Sequence, residues 1–282
     1  MYKSINPDKE RVMRYHNYTI TNTIAACVAA IILASCGTVA FTGRKQMLLF
    51  SDSDITELSK SSYKEFMSTA KVSSRKKDSQ TLTQVGKRMT AALEEYLKQN
   101  GGESALSGLN WEFQLVESQE VNAFCMPSGN IVFYEGILKY ADTPDYIAVV
   151  MGHEMAHAIA RHGNERMSQQ AAVTMVGNLA GEAIGAKKGK TAQTLFNVGF
   201  NVGSQVGLLL PYSRKHEYEA DRIGLYLMAI AGYNIEAAPE FWKKMSGGKS
   251  GSQNDFFSTH PCDSKRIEAL EMELQEARKY SH

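Results

Sequence analysis

The feature that most constrains this chain is the segment His153-Glu154-Met155-Ala156-His157, in which two histidines stand four residues apart. Residues at this spacing share one face of an α-helix, so both imidazoles can reach a single metal ion. Upstream, Thr143-Pro144-Asp145 combines an N-cap residue, a first-turn proline and a first-turn acid. We therefore expect a helix from about 143 to His162, with Gly163 just past its end. Glu154 stands beside the histidines, where it can take a proton from a water held by the metal.

A catalytic zinc site needs a third protein ligand and keeps one position open. No third histidine follows His157 at the spacing H-x-x-G-x-x-H. Farther along, Glu217 and Asp221 stand four residues apart within 213–221 and therefore also share a helix face. One carboxylate can bind zinc while the other holds an imidazole in place. Alone, such a segment is more typical of a solvated helix face, but beside the two histidines it favours a metal centre.

These two motifs, HEMAH and SRKHEYEAD, together resemble the zinc metallopeptidase family of HtpX, the CAAX prenyl proteases and the Oma-type proteases. The resemblance covers about residues 41–280, because Asn122-Ala123-Phe124 and Thr259-His260-Pro261 with Arg266-Ile267 also match family elements. It implies a gluzincin-type metalloprotease domain that binds one Zn²⁺ per chain. Its implied ligands are His153, His157 and, as the third ligand, Glu217 rather than Glu219 or His216. Glu154 is implied as the general base, and Asp221 stands behind the third ligand.

The resemblance also places His260 near the zinc cleft. Pro261 follows it directly and biases His260 toward an extended conformation. Two roles remain open. His260 can stabilise the oxyanion of the tetrahedral intermediate, or it can act as a fourth ligand that displaces the catalytic water and keeps the enzyme latent. In the second role the glycine-rich loop 247–254 would be the moving part. Without this context, a single loop histidine is more typical of the protein surface.

The fold class that these patterns predict is α+β and mostly helical, with a small antiparallel sheet next to the HExxH helix. Alternating apolar residues and a turn at 127–130 predict strands at about 111–115, 121–125 and 131–134. We expect an extended substrate to pair with the edge strand at Asn122, Ala123 and Phe124. Helical spacing and capping residues predict helices at about 51–70, 79–100, 214–231, 235–246 and 263–280, and a close pair or a membrane-contacting hairpin within 171–210.

The N-terminal part has the layout of a secretory signal, because a polar, basic stretch precedes the uncharged run 20–35. The run ends in Leu33-Ala34-Ser35-Cys36, which is similar to the bacterial lipobox, and it is short for a membrane span. We expect residues 1–35 to be removed and Cys36 to carry lipid, with an uncleaved anchor helix as the alternative. Residues 36–50 would then form a linker and first strand, and 51–282 a single metalloprotease domain.

Composition limits the partners. With 31 basic and 30 acidic residues the net charge is +1, which argues against a nucleic-acid partner held by bulk charge. We expect a lipid-anchored endopeptidase for unfolded or misassembled cell-envelope proteins, facing the periplasm from the outer membrane, within an envelope assembly complex. The alternatives are an assembly or binding factor with a latent protease site, and a purely structural zinc site. Cys125 and Cys262 are either a disulfide pair or two buried thiols.

Overall fold

The structure, a computed structural model, describes residues 36–182, 213–247, 255–261 and 264–281. The expected signal 1–35 lies outside these residues, as do Cys262 and nearly all of the loop 247–254. Of the segment 171–210, only the part up to residue 182 is described. Within the described ranges, no helix combines the length and the apolar character needed to cross a membrane.

Helices dominate the described residues, which confirms the predicted class. The HExxH helix begins at the expected cap, where Thr143 Oγ1 accepts the N–H of Tyr146. Ser213 Oγ likewise accepts the N–H of His216 at the start of a later helix. The helices are α1 (Asp52–Thr69), α2 (Lys76–Gln99), α3 (Pro144–Ile159), α4 (His162–Glu182), α5 (Arg214–Ile230), α6 (Ala237–Ser246), α7 (Asp255–Thr259) and α8 (Ser264–Ala277).

A three-stranded sheet lies beside α3, as the sequence predicts, but it is mixed. Its strands are β3 (Glu112–Val116), β4 (Ala123–Cys125) and β5 (Asn130–Tyr134), in the order β3-β5-β4. The turn 127–130 makes β4 and β5 antiparallel, whereas β3 runs parallel to β5, which corrects the expected pairing. Alternation along β3 predicts a strand but not its direction, because its partner is not the next strand in sequence. Because β5 lies in the middle of the strand order, β4 is an outer strand of the sheet.

The N-terminal residues of the described chain form a separate two-stranded hairpin. Its strands are β1 (Cys36–Thr38) and β2 (Lys45–Met47), paired antiparallel. We call residues 36–47 the N-terminal hairpin. The chain then continues into α1, whose first turn is capped by Ser51 through a hydrogen bond from the N–H of Asp54.

The HExxH helix α3 is the central helix of the domain. Every residue from Ile147 to Ile159 is buried, and α2, α5, α6 and β4 all pack against it. It ends earlier than the sequence predicts, because Arg161 takes the left-handed conformation with φ 55°. Gly163, expected to end α3, instead lies in the first turn of α4. This tight reversal directs His162 back toward α3, where it is fully buried.

Candidate metal centre

The helices α3 and α5 bring the three predicted ligands together. His153 Nε2 and His157 Nε2 lie 3.2 Å apart. Glu217 lies opposite them, with its carboxylate oxygens 3.4 Å from His153 Nε2 and 3.4 Å from His157 Nε2. All three side chains are at most 2% exposed. The side chains of His153 and His157, four residues apart on α3, therefore converge with Glu217 from the first turn of α5.

His260 joins this group directly after α7. Its N–H donates to the carbonyl of Phe256 (2.8 Å), and its ring stacks on the Phe256 ring. His260 Nδ1 lies 3.2 Å from His153 Nε2 and 3.2 Å from Glu217 Oε1. The surface position considered for this residue is wrong, since His260 is 2% exposed.

The donor set fits a zinc ion. One donor atom from each of four side chains lies within 4.8 Å of all the others, namely His153, His157, Glu217 and His260. Zinc with ligands at about 2.0–2.2 Å in tetrahedral geometry holds neighbouring donors roughly 3.3–3.6 Å apart. The observed separations of 3.2–3.4 Å agree with that arrangement. Imidazole and carboxylate are also the ligand types of known catalytic zinc sites.

Asp221 and Arg266 hold the first histidine and the glutamate. Asp221 Oδ1 lies 2.9 Å from His153 Nδ1, so it fixes the ring with Nε2 toward the metal position. Arg266 of α8 donates two hydrogen bonds of 2.7 Å to Asp221 and one of 2.8 Å to Glu217 Oε2. The sequence predicts Asp221 at this place but gives no role to Arg266. An arginine in an amphipathic helix ordinarily lies at the surface, whereas this one is 1% exposed.

The second histidine is held by another imidazole. His157 Nδ1 lies 2.9 Å from His162 Nδ1, and His162 Nε2 lies 2.9 Å from Glu219 Oε2. Burial lowers the pKa of His162 to about 4, because it outweighs the effect of Glu219. Glu219 thus stands away from the metal position and contacts His162 instead. Its contact with His162 was not predicted, because the sequence places His162 at the end of α3, whereas in the structure it begins α4.

Glu154 has the surroundings of a general base. Its Oε2 accepts the backbone N–H of Cys125 (3.1 Å), and its Oε1 has no hydrogen bond among the described residues. Burial raises the pKa of Glu154, although His260 and His153 act in the opposite direction. A carboxylate with a raised pKa is better matched to proton transfer near neutral pH.

Neighbouring charged groups shift the pKa values of His153 and Glu217 in the metal centre. Burial opposes protonation of His153, yet hydrogen bonds to Asp221 and Glu217 raise its pKa to about 9 in the protein alone. Burial also opposes ionisation of Glu217, but His260 and Arg266 hold its pKa well below the ordinary value. Glu217 is therefore an anion, as a carboxylate ligand must be. Because zinc competes with protons for the histidines, we expect binding to release a proton from His153.

The predicted substrate strand lies next to this centre. β4 is an outer strand, and the register with β5 turns the N–H groups of Ala123 and Cys125 away from β5. The N–H of Ala123 donates to Asn122 Oδ1 (2.9 Å), and that of Cys125 donates to Glu154. Phe124 packs edge-on against Phe66 of α1. Cys125 is a free, buried thiol whose pKa is raised by burial.

The fold and the site define the class of zinc metallopeptidase domains in which a glutamate from a later helix lies beside the two histidines of an HExxH helix. The chain belongs to peptidase family M48, whose model it matches over residues 87–274. This confirms the resemblance inferred from the two motifs.

The chain is similar to several named metallopeptidases. It is 39% identical over 176 residues to the mitochondrial metalloendopeptidase OMA1 of Schizosaccharomyces pombe, covering 62% of this chain and 50% of that protein. It is 29% identical over 246 residues to human OMA1, covering 84% and 46%. It is also 30% identical over 162 residues to the beta-barrel assembly-enhancing protease of Escherichia coli K12, covering 56% and 33%. The chain thus spans half or less of the length of these relatives.

Proposed function

We propose that this chain is a zinc-dependent endopeptidase that hydrolyses peptide bonds of unfolded or misassembled cell-envelope proteins. The observation that carries the proposal is Glu154, whose buried Oε1 makes no hydrogen bond among the described residues and lies 3.5 Å from Nε2 of His260, a member of the donor set. A structural zinc site has no need of an adjacent base, and such sites are usually rich in cysteine.

The chain's own residues account for each proton transfer. A zinc ion held by His153, His157 and Glu217 would supply Lewis acidity, which would polarise the scissile carbonyl and make water nucleophilic near neutral pH. Glu154 Oε1 takes a proton from the attacking water and returns it to the leaving amine. Without substrate, the N–H of Cys125 donates to Glu154 Oε2, and a substrate strand that takes this N–H releases the carboxylate for proton transfer. Asp221 and His162 fix the ring orientations of His153 and His157.

Substrate recognition through the backbone would suit unfolded chains. An extended peptide that adds to β4 forms main-chain hydrogen bonds, which depend little on side-chain identity. For this to happen, the substrate must replace the bonds that the N–H groups of Ala123 and Cys125 make internally. We propose Asn122, Ala123 and Phe124 as the strand that receives the substrate.

The cellular setting is proposed from two independent features. The lipobox-like segment before Cys36 favours a bacterial lipoprotein held at the outer membrane and facing the periplasm. The name of the Escherichia coli relative, a beta-barrel assembly-enhancing protease, favours an envelope assembly complex as partner. The OMA1 relatives are named as mitochondrial proteins, so similarity alone leaves the compartment undecided. We propose the bacterial setting because of Cys36.

A second candidate function is an assembly or binding factor whose protease site is latent. His260 is the observation that favours latency, because its Nδ1 completes a set of four protein donors. Catalytic zinc sites keep one position for water or substrate. We therefore propose His260 as a fourth ligand in the resting state that must leave before hydrolysis. A peptidase can be latent in its resting state. The two candidate functions therefore differ in one respect: release of His260 yields peptidase activity only if the protein is an enzyme.

The experiment for the proposed function compares the wild type with Glu154→Gln on an unfolded substrate such as casein. We expect activity to fall by about 10²–10⁴-fold while zinc content stays unchanged, because Glu154 transfers protons and is not a ligand. Glu57→Gln, at an exposed position of α1, is the matched control and should retain activity. If the wild type and His260→Ala both carry zinc but neither cleaves casein, the binding factor is favoured.

The same variant can identify the substrates. Crosslinking of Glu154→Gln in its native envelope should trap unfolded chains, because this variant binds substrate without cleaving it. Capture of folded assembly-machinery subunits alone would instead support the binding factor.

The lipid anchor has its own test. Mass spectrometry of the N-terminal peptide should find Cys36 as the first residue, with attached acyl chains, and Cys36→Ser should abolish the modification. Two or three acyl chains anchor a protein stably where one is marginal. A mature protein that still begins at Met1 would contradict the proposal.

A further inference from the structure

We propose that Arg44 positions the zinc ligand His157 through Glu219 and His162, which makes the N-terminal hairpin part of the metal centre. The proposal rests on the zinc site of the proposed function, but it concerns residues outside the ligand set. None of the three groups that link the hairpin to His157 is itself among the four candidate ligands.

The chain of hydrogen bonds has one consistent direction when zinc is bound. His157 must present the lone pair of Nε2 to zinc, so its proton is on Nδ1. This Nδ1–H then donates to His162 Nδ1, which lies 2.9 Å away. The remaining proton of His162 is therefore on Nε2 and donates to Glu219 Oε2, also 2.9 Å away. An ionised carboxylate at the end of the chain thus selects the tautomer of both imidazoles.

Arg44 and Thr42 fix the carboxylate that ends this chain. Arg44 Nε donates to Glu219 Oε2 (2.7 Å), and Thr42 Oγ1 donates to Glu219 Oε1 (2.6 Å). The other two guanidinium nitrogens of Arg44 donate to the oxygens of Glu165, at 2.8 and 2.6 Å. The arginine therefore links two carboxylates, one from α5 and one from α4. Only a planar group with several donors makes all three bonds at once.

The segment directly after the N-terminal hairpin is attached to α4 by bonds that do not involve Arg44. The N–H of Leu49 donates to Ser168 Oγ (2.8 Å), and Asn164 Nδ2 donates to the carbonyl of Phe50 (2.9 Å). These two bonds hold the segment after β2 against the same helix that carries His162. The position of Arg44 is therefore set by the fold and not by its ion pairs alone.

The two histidine ligands are supported in parallel ways. His153 contacts Asp221, which is held by Arg266 from α8. His157 contacts His162, which contacts Glu219, and Arg44 holds Glu219 from the N-terminal hairpin. In each case an arginine from a distant part of the sequence fixes a carboxylate of α5. Partners of this kind, beyond the ligands themselves, typically change metal affinity by roughly 10–100-fold when they are removed.

The test measures metal binding, so it does not depend on peptidase activity. Zinc affinity is determined by competition with a chromophoric chelator for the wild type, Arg44→Ala, Arg44→Lys, Thr42→Val and Glu219→Gln. The visible absorption of the cobalt-substituted proteins reports the geometry of the ligands. Thermal unfolding without metal shows whether each variant is folded. The control is Arg88→Ala, because Arg88 also joins distant segments through two hydrogen bonds of 2.7 Å, but past the C-terminal end of α5.

We expect Arg44→Ala and Glu219→Gln to weaken zinc binding by roughly 10–100-fold and to alter the cobalt spectrum. Arg44→Lys should restore part of the affinity, since lysine keeps the charge but not the fork of donors. Thr42→Val should have a smaller effect, and Arg88→Ala should leave both readouts unchanged.

The proposal is overturned if the folded variants bind zinc as tightly as the wild type and give the same cobalt spectrum. Arg44→Ala leaves two buried carboxylates without their arginine, so it is the variant most prone to unfold. If Arg44→Ala does not fold, the zinc affinities of Glu219→Gln and Thr42→Val test the proposal instead, because both substitutions keep the shape of the side chain. If the wild type and His260→Ala both bind zinc and neither cleaves peptides, the proposed function is contradicted and this inference remains intact.

Discussion

Gly152 of α3 and Gly224 of α5 face each other in direct backbone contact between the two helices. A Cβ on Gly152 would lie 2.9 Å from the carbonyl oxygen of Gly224. A Cβ on Gly224 would lie 2.9 Å from both the carbonyl carbon of Gly152 and the nitrogen of His153. Because the nearest atoms are backbone atoms, neither position accepts a side chain without movement of a helix. The contact thus sets the distance between the HExxH motif and the carboxylates of α5.

Gly224→Ala should separate the two helices. Alanine favours a helix over glycine by up to about 1 kcal/mol. We nevertheless expect a net destabilisation of about 1–3 kcal/mol from overpacking, together with weaker zinc binding. Chemical denaturation and chelator competition measure the two effects. Gly86→Ala is the comparison, since the atoms nearest its Cβ belong to the ring of Phe113 rather than to backbone. Equal zinc affinity in Gly224→Ala and the wild type would contradict this explanation.

Glu217→Ala should lose most of its zinc, whereas Asp221→Ala should bind it roughly 10–100-fold more weakly. The difference follows from their positions, because Glu217 faces the Nε2 atoms of both histidines, whereas Asp221 contacts His153 through Nδ1. Metal analysis after dialysis gives the zinc content per chain. Glu240→Ala, at an exposed position of α6, is the control. A full equivalent of zinc in Glu217→Ala would show that another group is the third ligand.

His260→Ala distinguishes the two roles of this histidine. If His260 is a fourth ligand that keeps the enzyme latent, the variant should cleave casein faster and still bind zinc through three ligands. If it stabilises the oxyanion, activity should fall by about 10²–10³-fold at unchanged zinc content. We expect the gain, because His260 Nδ1 lies among the other donors. The measurement is the initial rate at equal zinc content, and unchanged activity would exclude both roles.

The stability of the zinc-free protein should fall at acid pH because of Glu165 and Glu219. Burial opposes their ionisation, but hydrogen bonds from His216 and Arg44 to Glu165, and from His162, Thr42 and Arg44 to Glu219, lower both pKa values from 4.5 to about 2. The unfolded chain binds protons first, so stabilisation by these carboxylates is complete above about pH 4.5 and is lost as the pH falls toward 2.

Urea denaturation between pH 7 and pH 2.5, with a chelator present, measures this loss. Glu219→Gln should be less stable than the wild type at neutral pH and should depend less on pH in the acid range. The same dependence on pH in both proteins would mean that Glu219 contributes no such stabilisation.

The metal centre could be predicted from the sequence to the extent that it depends on helix periodicity. His153 and His157 meet because residues four apart share a helix face, and Glu217 and Asp221 follow the same rule. The partner of His157 could not be predicted in this way. His162 reaches it only because Arg161 adopts a left-handed conformation that ends α3 early. Glycine is the usual residue in that conformation, so the sequence favours Gly163 as the end of the helix instead.

Contacts between distant segments account for the other differences. Arg44 and Arg266 stand far from the motifs in sequence, and neither is surrounded by a pattern that predicts burial. Their roles follow from the tertiary contacts that place the N-terminal hairpin and α8 against α5. Likewise, the parallel direction of β3 depends on its choice of β5 as partner, which alternation along one strand does not encode.

The internal bonds of β4 have a consequence for an unoccupied enzyme. The exposed edge of a sheet presents backbone groups that can pair with any other strand, which is a common route to aggregation. In β4 the N–H groups of Ala123 and Cys125 are already taken by Asn122 and Glu154. A protein that meets unfolded chains would therefore resist joining them in a growing β-structure. Only a chain that displaces the carboxylate of Glu154 would pair with the whole strand, so strand pairing and engagement of the catalytic base would be one event.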